Sequence, residues 1–117
     1  MKQLILILAC VLSGTLTHAQ EKKVLVAYFS CTGNTETVAK AIAQATHATL
    51  YRIQAEKAYS AADLDWQDKQ SRTSKEMGNT TSRPGLADKN AQAETYDILF
   101  LGYPIWWNQT PDRKSVV

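Results

Sequence analysis

The stretch Tyr28-Phe29-Ser30-Cys31-Thr32-Gly33-Asn34-Thr35 joins an apolar run to a segment with helical character. Val24 to Phe29 contains no charged residue, the pattern of a strand buried on both faces in a parallel sheet. From Glu36 to Thr46 the chain is alanine-rich and has no Gly or Pro. Val38, Ala41, Ile42 and Ala45 mark the stripe expected to face the core. A strand that feeds a hydroxyl- and Gly-containing loop into a helix N-terminus gathers free backbone N–H groups and the positive end of the helix dipole around one point. An anionic group is the natural occupant of such a cradle.

The loop composition narrows the anion. Ser30, Thr32 and Thr35 offer hydroxyl donors, Gly33 permits positive φ and a close backbone approach, and Asn34 carries a short amide. No Lys or Arg lies in the loop, which argues against a nucleoside-triphosphate loop, and the Gly-x-Gly-x-x-Gly dinucleotide pattern is absent. A monophosphate held by neutral donors fits best. The plainer alternative is a strand-to-helix turn whose threonines only cap the helix, although a cap needs one donor and several converge here.

A second apolar run, Ile98 to Tyr103, ends in Gly102-Tyr103-Pro104-Ile105-Trp106-Trp107. Ser-x-Thr-Gly-Asn-Thr after a first strand resembles the flavin mononucleotide (FMN) phosphate loop of flavodoxins. The downstream motif resembles the third flavodoxin strand and the flavin-covering loop in the Tyr-Pro-Ile-Trp-Trp branch of that family. With the intervening Tyr59 to Trp66 and Arg83-Pro84 segments, the resemblance runs from about Lys23 to Trp107. It implies an α/β fold with a doubly wound parallel sheet, of which order 2-1-3 is present and strands 4 and 5 are missing. It also implies FMN as cofactor, with Ser30, Thr32, Gly33, Asn34 and Thr35 at the phosphate and Tyr103, Pro104, Ile105, Trp106 and Trp107 at the ring. The implied role is electron transfer or a small flavin-dependent reduction, with redox proteins or a small-molecule electron acceptor as partners. The redox chemistry would belong to the flavin and the orientation to the protein; no catalytic side chain or metal ligand is assigned.

In a sheet of this order, ligands sit beyond the carboxyl ends of strands one and three, and both motifs directly follow their strands. Adjacent residues in an extended loop point to opposite sides, so one of Trp106 and Trp107 is expected to anchor in the core and the other to meet the ligand. Thr49 to Ile53 alternates and reads as strand two, nearer an edge. Ser60 with Asp63 three positions on reads as a capping-box variant opening a helix through about Trp66. His47 reads as a cation near the negative pole of the first helix.

Cys31-Thr32-Gly33-Asn34-Thr35 also resembles the start of the low-molecular-weight tyrosine phosphatase loop. That enzyme needs an Arg six residues after its Cys, where this chain has Thr37; without a guanidinium fork nothing grips the phosphoryl oxygens. Gln67 to Ser82 reads as a solvated excursion, with a helical turn as the alternative at Arg72 to Met77. Lys and Arg total 13 against 11 Asp and Glu, a net charge of +2. The basic side chains form no stripe, so nucleic-acid binding is unsupported.

Residues 1–19 read as a signal peptide: Lys2, an apolar run from Leu4 to Leu12, then small residues ending at Ala19. Export is expected, to the periplasm or the extracellular space, and the run is too short to span a bilayer stably. Ile7-Leu8-Ala9-Cys10 faintly resembles a lipoprotein box. Once the leader is removed, Cys31 is the only cysteine, so no intrachain disulfide can form. Residues 20–117 then form a partial flavodoxin-like domain, expected to be C-terminally truncated because the family continues with two more strands and their helices. Strand three would be an edge. Asn108 stands where this branch usually has Gly, and a non-functional fragment is the alternative to an FMN protein.

Overall fold

The computed structural model describes residues 21–107 and Pro111. Residues 1–20, with the stretch read as a signal peptide and Cys10, and residues 108–110, with Asn108, lie outside the described residues, as does the segment after Pro111. In chain order the elements are β1 (Val24–Tyr28), α1 (Asn34–Thr46), β2 (Thr49–Arg52), α2 (Arg72–Gly78), a 3-10 turn (Ala93–Thr95) and β3 (Ile98–Gly102). The three strands form a parallel sheet of order β2-β1-β3. Val24 is level with Ile98 and Tyr28 with Gly102, so β1 and β3 end together and release their loops side by side.

The unbroken apolar character of β1 follows from its central place. Leu25, Val26, Ala27 and Tyr28 are all buried, and alternation sends them into two separate cores. Val26 and Tyr28 pack with Ala39 and Ala43 of α1, flanked by Ile42 and Ala48. Leu25 and Ala27 pack with Ile53 on the other face, covered by Phe29, Tyr51, Leu86, Ala93 and Tyr96. Full burial of Leu25 and Val26 contributes roughly 1.5–3 kcal/mol each.

The helix starts and stops on left-handed residues, Gly33 at φ 96° and His47 at φ 53°. His47 closes α1 through its backbone N–H to the Ala43 carbonyl, so its role at the helix end is a backbone cap. The face that meets the sheet is rotated from the expected stripe. Ala39 and Ala43 are buried, whereas Ala41 and Ala45 are exposed and Val38 is 59% exposed. Alanines surround this helix, so periodicity alone favours no one face; the smallest side chains take the close approach to β1.

Two expectations for the middle of the chain are corrected. Ser60 and Asp63 do form the reciprocal pair, Ser60 N–H to Asp63 Oδ2 at 2.9 Å and Asp63 N–H to Ser60 Oγ at 3.1 Å. The pair closes only a single turn over residues 61–64, and no helix extends to Trp66. Within the stretch read as a solvated excursion, the alternative of a helical turn at Arg72 to Met77 is the one observed, as the seven-residue α2. Ser71 caps it by accepting from the Ser74 N–H. Thr73, 2% exposed, donates both its N–H (3.0 Å) and its hydroxyl (2.7 Å) to the Asp63 carbonyl. One buried threonine thus ties α2 to the Ser60 turn.

Candidate functional site

The loop after β1 is built around Gly33. Its N–H donates to Ser30 Oγ at 3.2 Å, and its carbonyl accepts from the Thr37 N–H (3.0 Å) and hydroxyl (2.9 Å). Ser30 is buried, so its hydroxyl shapes the loop from within. At Gly33 a Cβ would meet nothing within 4 Å; the requirement for glycine comes from the positive φ. No side chain caps α1 at Gly33. The Thr32 hydroxyl accepts weakly from Asn34 Nδ2 at 3.5 Å. The Thr35 methyl faces Gly102, where an added Cβ would lie 3.3 Å from it and 3.4 Å from Tyr28 Cβ. The glycine at the end of β3 thus eases its approach to the start of α1, since a side chain there would press on Thr35 and Tyr28.

One carboxylate beside the loop is shared by two cations. Glu36, in the first turn of α1, pairs with Lys40 Nζ at 2.7 Å and Arg52 Nη1 at 3.2 Å. The hydrogen bond from Lys40 is the main reason its carboxyl is held below the usual carboxylate range. Cys31 is a half-buried thiol pushed up by burial, against the pull of Arg52 and Arg72.

The loops after β1 and β3 meet across a cavity of about 350 Å³, within the range typical of small-molecule sites. Ser30, Cys31, Thr32, Asn34 and Thr35 line one end, and Pro104, Ile105, Trp106 and Trp107 the other. Of the residues singled out from sequence, Gly33 and Tyr103 are outside its wall; Gly33 acts as the α1 N-cap and Tyr103 is exposed. Leu64, Trp66 and Thr73 complete the wall. Sequence reasoning missed these three, since no local motif marks them.

Trp106 packs edge-on against Phe29 (5.7 Å between ring centroids) and Tyr59 (5.5 Å), and those two rings meet at 6.0 Å. Trp107 is exposed and sits at φ 48°, so the pair does not simply alternate as in an extended strand. Both still line the cavity. Burial pushes the Tyr59 phenol up, and its hydrogen bond to Glu76 adds to this. Among the described residues no group of His, Cys, Asp and Glu side chains could hold a metal ion, and no helix is long and apolar enough to cross a membrane.

A family model for flavodoxin matches residues 23–114. The chain belongs to the flavodoxin family. Two crystal structures of provisionally named flavoproteins are similar to it. One, from Bacteroides uniformis, is 51% identical with a TM-score of 0.74, over 79% of this chain and 59% of its own. The other, from Bacteroides eggerthii, is 42% identical with a TM-score of 0.78, over 82% of this chain and 61% of its own. The flavodoxin chain thus spans about three fifths of the length of these relatives. The comparison with curated proteins gave no match. The β2-β1-β3 parallel order expected from sequence is the order observed, and it puts both flavodoxin motifs at the carboxyl ends of adjacent strands.

Proposed function

We propose that this flavodoxin binds FMN and serves as an electron carrier or a small flavin-dependent reductase. The observation that carries the reading is the cavity shared by two loops, with an uncapped helix N-terminus at one end and the tryptophan pair at the other. Backbone N–H groups of the first α1 turn, with the Thr32 and Thr35 hydroxyls, would hold the phosphate. Ser30 and Gly33 would shape that cradle, and Asn34 would add its amide. Pro104 to Trp107 would form the ring end, where an aromatic face gains on the order of 1 kcal/mol beyond the area it buries; Tyr103 would support that loop from outside the cavity.

The flavin supplies the electron-transfer chemistry, and the protein's part is to bind the phosphate, orient the ring and exclude water around it. The two similar flavoproteins support a flavin as ligand. Their greater length leaves partner and acceptor as part of the proposal: a redox protein or a small electron acceptor. Export through residues 1–19 belongs to the same reading, with the flavin acquired after secretion; N-terminal sequencing of the secreted protein would find Gln20 first. A phosphatase role is disfavoured because a thiol pushed up by burial is a poor nucleophile.

The test uses FMN and riboflavin side by side. Thr32→Ala and Thr35→Ala should each weaken FMN by about 1 kcal/mol while leaving riboflavin, which lacks the phosphate, nearly unchanged. Flavin binding should quench tryptophan emission, and replacing Trp106 or Trp107 should remove most of the quench. Equal losses for both flavins in the threonine variants would remove the phosphate assignment.

A further inference from the structure

Trp106 lies in the loop after β3, and Tyr59, one of its two ring neighbours, lies in irregular chain between β2 and α2. Neither residue belongs to a helix or to one of the three strands; Phe29, just after β1, gives the Trp106 ring one edge-on contact, and the second depends on how Tyr59 is held. α2 supplies the fixing. The Tyr59 hydroxyl donates to Glu76 Oε2 at 2.6 Å, and the other Glu76 oxygen accepts from Arg72 Nε at 2.7 Å. The Arg72 guanidinium carbon stands 3.7 Å from the Tyr59 ring centroid. The same guanidinium donates through Nη1 to the carbonyls of Lys57 (2.7 Å) and Ala58 (3.3 Å), the backbone leading into Tyr59. One ion pair thus holds the ring face, the phenol oxygen and the approaching main chain.

We propose that the Arg72–Glu76 pair of α2 is a positioning device for the ring end of the cavity: it locks Tyr59, and Tyr59 fixes the orientation of Trp106 towards a bound flavin ring. The proposal deepens the flavin reading above and rests on it. The pair is mostly enclosed, its side chains 18% and 19% exposed. Taking two charges out of water offsets much of their attraction, so such a pair is weak as a source of stability alone. A planar fork, by contrast, fixes geometry in a way that an apolar contact or a lysine does not. Thr73, one residue after Arg72, lines the same cavity and ties α2 to the Asp63 carbonyl, so the device is anchored to the wall it serves.

The experiment uses the full chain with Tyr59→Phe, which keeps the ring and loses the bond to Glu76, and Arg72→Lys, which keeps the charge and loses the fork. Trp106→Phe defines the near-ultraviolet circular dichroism that Trp106 contributes. Without any flavin added, both variants should lose most of that Trp106 signal while far-ultraviolet dichroism stays as in the unsubstituted protein. FMN and riboflavin should weaken together, about fivefold for Tyr59→Phe, unlike the FMN-only losses of the threonine variants. An unchanged Trp106 signal in Tyr59→Phe, or a loss confined to FMN, would overturn the proposal. If Arg72→Lys fails to fold, Tyr59→Phe decides. If the unsubstituted protein binds neither flavin, the functional reading fails and takes the flavin-directed role of the pair with it, while the Trp106 signal still decides whether the pair orients that ring.

Discussion

Cys31 shows how one side chain can suggest an activity that its surroundings oppose. In sequence it begins a phosphatase-like motif; in the fold it is a half-buried thiol beside the cradle. Burial raises its pKa and the charges of Arg52 and Arg72 offset this only in part, so the protonated form persists at neutral pH. Alkylation by iodoacetamide should therefore rise with pH through a midpoint above that of an unperturbed cysteine, about 8.5. A midpoint below that value would mean a stabilised thiolate and would reopen the hydrolytic reading. Gly33 was more legible, as the loop glycine between strand and helix that takes a positive φ, whereas the place of Gly102 against Thr35 emerges only in the fold.

At the scale of elements, the parts readable from sequence were those whose burial leaves a pattern. β1 is covered on both faces and carries no charge, and α1 has no breaker, so both were placed within a residue or two of their bounds. α2 was legible only as an alternative, a helical turn at Arg72 to Met77, because its seven residues show no apolar stripe. It is held by hydrogen bonds from Ser71, Arg72 and Thr73 to partners up to 15 residues away, and such contacts have no period to read. Leu64, Trp66 and Thr73 were missed as cavity residues for the same reason. Thr73→Val, which keeps the shape but loses the hydroxyl bond to the Asp63 carbonyl, should destabilise this region by about 1 kcal/mol. Amide exchange should quicken over 60–78 while β1 stays protected. Uniform loss of protection across the sheet would instead make α2 part of the central cooperative unit.

At the scale of the molecule, among the described residues β1 alone is paired on both sides, and β2 and β3 are the two edges. Ile98, Leu99, Phe100 and Leu101 are all exposed along β3. An apolar strand with open N–H and C=O groups is a template for edge-to-edge pairing. The purified chain should therefore self-associate with rising concentration in sedimentation velocity, and Phe100→Lys should shift it towards monomer. A chain that stays monomeric at high concentration without that substitution would show that β3 is protected.

The bare first turn of α1 has a thermodynamic corollary. With no side chain closing the helix at Gly33, an anion seated there completes the helix as well as occupying a pocket, and the folded state gains whatever that anion contributes. By mass action, free ligand at a hundred times its dissociation constant would add about 2.7 kcal/mol to unfolding. Heat resistance then becomes a gauge of occupancy: the melting temperature should climb steeply with FMN and only slightly with riboflavin at equal concentration, so the fold itself reports how full the cradle is.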